Sequence, residues 1–214
     1  MKDLSNYRKS YEKSELLENQ IPEDPINLFH KWFYEAEEFN AADEVNAMTV
    51  STIGTDGFPK SRVVLLKKFN EEGFVFYTNY NSEKGQSILN NPNVCLSFFW
   101  PTVERQIIIK GVAEKLEATL SDNYFASRPD GSKLGAIVSP QSEVIPNREF
   151  LENNLKQLEK EFEGKEILRP KNWGGFLVRP VSVEFWQGRP NRLHDRIRYQ
   201  LQEGFDWKIE RLSP

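Results

Sequence analysis

The residues of this 214-residue chain that could do chemistry gather in three short stretches. The densest is GRPNRLHDRIRY, residues 188–199. It holds four arginines and one of only two histidines, in a chain whose net charge is −4. Taken as extended, its alternation puts Arg192, His194, Arg196 and Arg198 on one face, and Leu193, Asp195, Ile197 and Tyr199 on the other. Asp195 then points away from the cations. Two readings fit such a face. It is a solvated edge strand whose charge discourages aggregation, or it is a site for phosphate or carboxylate, which guanidinium groups grip bidentately. The neighbouring arginines should depress the pKa of His194. A neutral imidazole there would accept a hydrogen bond or a proton near physiological pH.

The second stretch is SRVVLLKK. Arg62 and Lys67 are five apart, so a regular strand sends them to opposite faces; if both serve one site, the strand bulges or one of them acts from a different direction. The third is NYFASRPDGSK, where Tyr124, Arg128 and Ser132 recur every four residues. On a helix Tyr124 and Arg128 share a face, while Ser132 lies beyond Pro129 and must fold back. The three form either a phosphate clamp of one charge and two hydroxyls or a solvated helix end. His30 has no ligand-type company and reads as an ordinary surface or boundary residue. The single cysteine, Cys95 in VCLSFF, reads as a buried small hydrophobe and excludes an internal disulfide or a multi-cysteine zinc site. There is no GxGxxG, P-loop, HExxH or GxSxG pattern. No metal site is expected, and chemistry here calls for a bound organic cofactor.

These residues must be positioned by a folded body. Hydrophobic residues make up 38% of the chain and charged ones 28%, the balance of a soluble globular protein. No apolar run nears the ~18 residues of a membrane span, and the first twenty residues lack a signal peptide's apolar stretch, so the cytoplasm is the expected location, with no membrane partner. The acidic balance argues against nucleic acid as a partner. Residues 1–20 read as a mobile polar arm and residues 21–214 as one domain. EDPINLFHKWFYEAEEF reads as a helix capped by Asp24, with Pro25 in its first turn and an apolar face of Leu28, Phe29, Trp32, Phe33 and Ala36. AMTVSTIG, KSRVVLLKKF, GFVFYTN, NVCLSFFW, RQIIIKGVAEKL, GGFLVRP, SVEFWQG, DRIRYQLQ and DWKIERL read as strands. SEKGQSILNN, capped by Ser82, reads as a short helix, as do TLSDNYFASRP and SKLGAIVS. NREFLENNLKQLEKEFEG reads as a longer one ending at Gly164. Short hairpin links and helical insertions predict an α+β domain on a closed or nearly closed antiparallel barrel.

The blocks RVVLLK, FYTN, SEKG, ERQ, YFASRPDGSKLGAIVSPQS, WGGF, EFWQG and RLHDR occur in this order from about residue 7 to the C-terminus. In that order they resemble the pyridoxamine 5′-phosphate oxidase family. The resemblance implies an antiparallel split β-barrel with peripheral helices, and a homodimer with FMN at each subunit interface. It implies oxidation of pyridoxamine or pyridoxine 5′-phosphate to pyridoxal 5′-phosphate by dioxygen, releasing hydrogen peroxide, and ammonia from the amine. It implies FMN contacts at Arg62, Lys67, Tyr77, Thr78, Lys84, Gln106, Gln141, Ser142, Trp186 and Arg196. Lys67, Tyr124, Arg128 and Ser132 resemble the clamp for the substrate phosphate. Arg192 and His194 resemble the pair over the substrate ring. YRKSY resembles the family's basic-then-tyrosine motif, making Arg8 and Tyr11 a lid. Arg189 and Arg198 are left to structure or solvent. One departure stands out: Glu83 replaces an arginine of the family. A carboxylate near the FMN phosphate repels it, so Glu83 either turns outward or weakens FMN binding. The N-terminus of the helix begun by Ser82 offers part compensation.

Overall fold

The computed structural model describes residues 2–214. Nine strands form one sheet: β1 (Ala47–Ile53), β2 (Pro59–Leu65), β3 (Lys68–Asn70), β4 (Gly73–Asn79), β5 (Asn93–Trp100), β6 (Arg105–Lys115), β7 (Trp173–Gln187), β8 (Asp195–Leu201) and β9 (Trp207–Arg211). Among the described residues five α-helices accompany them: α1 (Pro25–Glu38), α2 (Glu83–Asn90), α3 (Ala118–Ala126), α4 (Asp130–Val138) and α5 (Arg148–Glu161). The strand order is β2-β1-β5-β6-β7-β4-β3, with β8 on β7 and β9 on β8. Although β2 and β4 lie far apart along that path, they approach one another, so the sheet curls. The fold is the expected α+β split barrel, an antiparallel half-barrel with helices around it.

Two compact units build the chain. One comprises the N-terminal stretch through Val50, Cys95–Gly111 and Pro180–Pro214. Its core forms on α1. Asp24 accepts the Ile26 N–H at 2.7 Å and Pro25 starts the first turn, as its missing N–H allows. The apolar face then buries Leu28, Phe29, Trp32, Phe33 and Ala36. Phe29 meets Phe98 with ring centroids 5.3 Å apart, and Trp32 meets Phe185 edge-on at 5.2 Å. Each fully buried ring contributes roughly 1.5–3 kcal/mol of apolar transfer. The buried Tyr199 hydroxyl is satisfied by the Pro22 carbonyl at 2.8 Å.

The other unit comprises Ser51–Val94 and Val112–Arg179. Here β4 pairs with β7 from Phe74↔Val178 to Asn79↔Trp173. Phe74, Phe76 and Phe176 are buried, and a second cluster of Phe125, Leu134, Ile167 and Trp173 seats the helices. In α2, Ser82 caps the Gly85 N–H at 3.3 Å. Gly85 is required there, because a Cβ would collide with the Tyr80 carbonyl.

Two strand readings change. GGFLVRP and SVEFWQG are one strand, β7. Pro180 lies in the gap between the ladder to β4, which ends at Val178, and the ladder to β8, which starts at Ser182. Its missing N–H breaks neither ladder. Conversely, KSRVVLLKKF is not one strand. β2 stops at Leu65 and β3 starts at Lys68. Leu66 turns into the core at 4% exposure, and the Lys67 N–H bonds to the Val75 carbonyl at 2.8 Å.

Candidate active site

That interruption decides where Lys67 can act. Arg62 stands on β2 and Lys67 lies beyond its end, so the five-residue spacing no longer sends them to opposite faces. Both line a cavity of about 910 Å³ in the second unit. Tyr77, Thr78, Lys84, Tyr124, Arg128, Ser132 and Gln141 line it too. Four cations therefore share one cavity, and no carboxylate is among its lining residues.

The cavity's polar groups form two sets. In the first, Lys84 Nζ donates to Thr78 Oγ1 at 3.2 Å and to Gln141 Oε1 at 3.1 Å. Arg62 donates to Thr52 Oγ1 and the Lys60 carbonyl, both at 2.8 Å. Burial pulls the pKa values of Lys84 and Arg62 downward; Arg62 lowers Lys84 further, and Glu83 opposes both shifts. Both cations are half-buried, and an anion would relieve their desolvation and mutual repulsion. Glu83 itself turns to an ion pair with Lys60. Neither Glu83 nor Lys60 lines the cavity.

The second set is built by the joint between α3 and α4. Tyr124 is near the end of α3, Arg128 follows its C-cap Ser127, and Ser132 lies in the first turn of α4. Pro129 is the N-cap of the new helix, and Ser132 in its first turn lines the same cavity as Arg128. The Arg128 guanidinium lies 4.7 Å over the Trp173 ring. Its NH1 is buried with no hydrogen-bond partner among the described residues. Burial lowers the Arg128 pKa, with Tyr124 opposing. A buried, unpartnered guanidinium N–H costs about 1–3 kcal/mol unless something accepts it. Tyr124 stacks on Tyr77 with centroids 3.9 Å apart, and Trp173 continues the stack 5.5 Å from Tyr77. Ser142 does not line this cavity; it is exposed in a turn with φ +76.

The first unit gathers a different group. Trp186 and Arg196 face one another across the β7–β8 ladder. Trp186 and His194 have ring centroids 4.6 Å apart, and Tyr11 lies 5.7 Å from Trp186 and 5.8 Å from His194. Tyr11 packs directly on Gly188, where an added Cβ would fall 2.7 Å from the Tyr11 Cβ. Gln106 is half-buried on β6, on the face opposite Arg105 and Ile107. Arg8 is exposed, with its Nε donating to the Ser5 carbonyl at 3.1 Å.

The cationic face expected along RLHDRIRY is not a regular strand face. β8 begins only at Asp195. Asn191 and Arg192 before it take left-handed backbone, φ +56 and +63, so alternation fails where Arg192 and His194 sit. Nor is the charge uncompensated. Arg196 pairs with Glu184 at 2.8 Å and donates to the Ser213 carbonyl, while Arg198 pairs with Glu210 at 2.6 Å. Asp195, expected to point away from Arg192, His194, Arg196 and Arg198, makes its ion pairs outside that set: it accepts from Arg211 at 2.8 Å and lies 3.6 Å from Arg189. Arg189 also reaches the Ser14 carbonyl and Glu15, at 3.3 and 3.1 Å. Glu15, Glu184 and Glu210 lie outside the stretch, which is why its local reading missed them. The exposed cation of the group is Arg192. Burial and then Arg192 lower the His194 pKa, with Asp195 opposing.

Comparison with known proteins adds an independent view. A family model described as "Pyridoxamine 5'-phosphate oxidase" matches residues 35–161, and one described as "Pyridoxine 5'-phosphate oxidase C-terminal dimerisation region" matches residues 173–214. Proteins named pyridoxine/pyridoxamine 5′-phosphate oxidase from Flavobacterium johnsoniae and Flavobacterium psychrophilum are 76% and 73% identical, with 100% of each chain covered. Among solved structures, PhzG from Burkholderia lata 383, in complex with tetrahydrophenazine-1-carboxylic acid, is 28% identical with TM-score 0.86, over 93% of this chain and 98% of that one. A pyridoxamine 5′-phosphate oxidase-related, FMN-binding protein from Nostoc punctiforme shares the fold at 16% identity and TM-score 0.70, over 91% of this chain and 100% of that one.

Proposed function

The chain belongs to the pyridoxine/pyridoxamine 5′-phosphate oxidase family, and from that premise we propose that it is an FMN-dependent homodimer that oxidises pyridoxamine and pyridoxine 5′-phosphates to pyridoxal 5′-phosphate. Dioxygen is the acceptor. The alcohol and dioxygen yield the aldehyde and hydrogen peroxide; the amine also takes up water and releases ammonia. The observation that carries this reading is the cavity with four cations, no carboxylate and the buried Arg128 NH1 that lacks an acceptor. Those are features of a site for phosphate esters. The match of residues 173–214 to a dimerisation region supports the homodimer.

The donor set fits two phosphorylated ligands. Arg62, Lys84, Thr78 and Gln141 would hold FMN; Tyr77, Gln106, Ser142, Trp186 and Arg196 are carried over from the family resemblance as further contacts, with FMN at the interface between the two protomers. Arg128, Tyr124, Ser132 and Lys67 would hold the substrate phosphate. Bound FMN supplies the two-electron acceptor that no side chain here can be. The protein's contribution is then to orient two rings, worth several kcal/mol of barrier. Arg192, exposed and outside any strand ladder, would bind the substrate at its reacting end, with Arg8 and Tyr11 closing over it and excluding water. His194 holds its proton on a defined atom. Its Nδ1 accepts the Arg189 N–H at 3.0 Å, so the neutral ring presents Nε2–H as a donor to the substrate's amine or hydroxyl. His194 thus orients the reacting group rather than abstracting a proton from it. Anaerobic mixing of FMN-loaded protein with pyridoxamine 5′-phosphate tests the reading. The flavin absorbance should bleach, then return on admitting air. A flavin that binds but does not bleach would make the protein a carrier.

A further inference from the structure

The residues above leave one buried carboxylate unused. Glu104, between β5 and β6, is 2% exposed and has left-handed backbone, φ +57. Its Oε2 accepts two successive backbone N–H groups of the N-terminal arm, from Glu12 at 2.8 Å and Lys13 at 3.1 Å. Its Oε1 lies 3.6 Å from Lys9 Nζ. Its backbone carbonyl accepts the Gly188 N–H at 2.8 Å and Gln187 Nε2 at 3.2 Å. One residue therefore grips the arm with its side chain and the end of β7 with its main chain. Tyr11 is held between the two grips, flush on Gly188 and beside Trp186 and His194.

Buried carboxylates are costly unless hydrogen-bonded. With the arm lifted, Glu104 would lose both amide donors, so docking of residues 9–13 and satisfaction of this oxygen are one event. A separate clasp holds the arm further along. Asp195 Oδ2 accepts the Leu16 N–H at 3.1 Å, and Arg211 donates to the Leu16 carbonyl and to Glu18, both at 2.8 Å. Loss of the Glu104 grip should accordingly free the Tyr11 segment without releasing residues 16–18.

We propose that Glu104 is a positioning residue: its carboxylate docks residues 9–13 and so sets Tyr11 beside Trp186 and His194 for the substrate. This rests on the reading of Tyr11 as a substrate contact. The test is amide hydrogen exchange on the FMN-loaded protein, native and Glu104→Gln, together with steady-state kinetics on pyridoxamine 5′-phosphate. A neutral acceptor makes hydrogen bonds about half as strong. The Glu12 and Lys13 amides should be protected in the native protein and exchange about 10-fold faster in Glu104→Gln, a loss of ~1.4 kcal/mol, while the Leu16 amide stays protected. KM should rise by a larger factor than kcat falls. Glu104→Gln combined with Tyr11→Ala should be no worse than Tyr11→Ala alone, because both act through one side chain. Unprotected Glu12 and Lys13 amides in the native protein overturn the proposal, even if the variant fails to fold; so does unchanged exchange in Glu104→Gln. Faster exchange with unchanged KM overturns the positioning role and strikes the reading of Tyr11, while turnover itself leaves the oxidase reading standing.

Discussion

The backbone N–H of Arg189 donates to Nδ1 of His194 across 3.0 Å, tying the imidazole to the chain five residues before it. Protonation of Nδ1 would place two donors face to face. This geometry, burial and Arg192 all favour the neutral ring. The His194 pKa should therefore lie below its ordinary 6.5. Above 6.5 its contribution to stability is fully present; it is lost as pH falls through the depressed folded value, because the unfolded chain takes up the proton first. His30 is the only other imidazole, so proton NMR titration resolves both. Arg192→Ala should move the His194 midpoint upward. A native midpoint at or above the ordinary value would contradict the assignment.

Arg128 leads to a prediction in which affinity and stability separate. Its NH1 has no partner to lose, and its guanidinium stacks on Trp173. Arg128→Ala should raise KM for the phosphorylated substrate by about 10- to 100-fold, the worth of a charge-assisted hydrogen bond of ~1.5–3 kcal/mol. Thermal stability should change little, since relief of a desolvated cation offsets a lost cation–π contact of about 2 kcal/mol. Calorimetry beside kinetics checks both. A large fall in Tm with little change in KM would make Arg128 structural.

The sequence raised the question of Glu83, and its ion pair with Lys60 allows an experiment. Lys60→Ala leaves the carboxylate beside Arg62 and Lys84 without its partner. FMN affinity, followed by quenching of flavin fluorescence, should weaken by at most about 5-fold, as befits an exposed pair worth 0.2–1 kcal/mol. The loss should shrink at high salt. Glu83→Arg should bind FMN more tightly than the native protein. Tighter binding in Lys60→Ala would contradict this electrostatic account.

Gly188 has a steric prediction. A Cβ there meets Tyr11 at 2.7 to 3.0 Å, closer than real contacts come, so Gly188→Ala must push the tyrosine away. KM for the substrate should rise with FMN affinity unchanged. Equal loss of both would place the effect in the barrel instead.

Much of this was legible in the chain. The caps at Asp24 and Ser82 and the apolar face of α1 formed as their patterns require, because these are local effects of spacing and hydrogen bonding. The gathering of Tyr124, Arg128 and Ser132 followed from spacing plus one proline. What was not legible depends on long-range partners or unusual backbone. The left-handed turn at Asn191 and Arg192 removed the expected strand face. Glu184 and Glu210 reach the arginines of β8 from the paired strands. Glu104, at a non-glycine left-handed position, carries no local signal; only the fold brings the arm's amides to its carboxylate.

The most direct measurement of the central claim is stoichiometry in a closed oxygen-electrode cell. FMN-loaded protein given pyridoxamine 5′-phosphate should consume dioxygen and form pyridoxal 5′-phosphate, hydrogen peroxide and ammonia in equal amounts. Pyridoxine 5′-phosphate should give the same balance without ammonia. Pyridoxal 5′-phosphate formed without oxygen uptake, or none formed while FMN is bound, would contradict it.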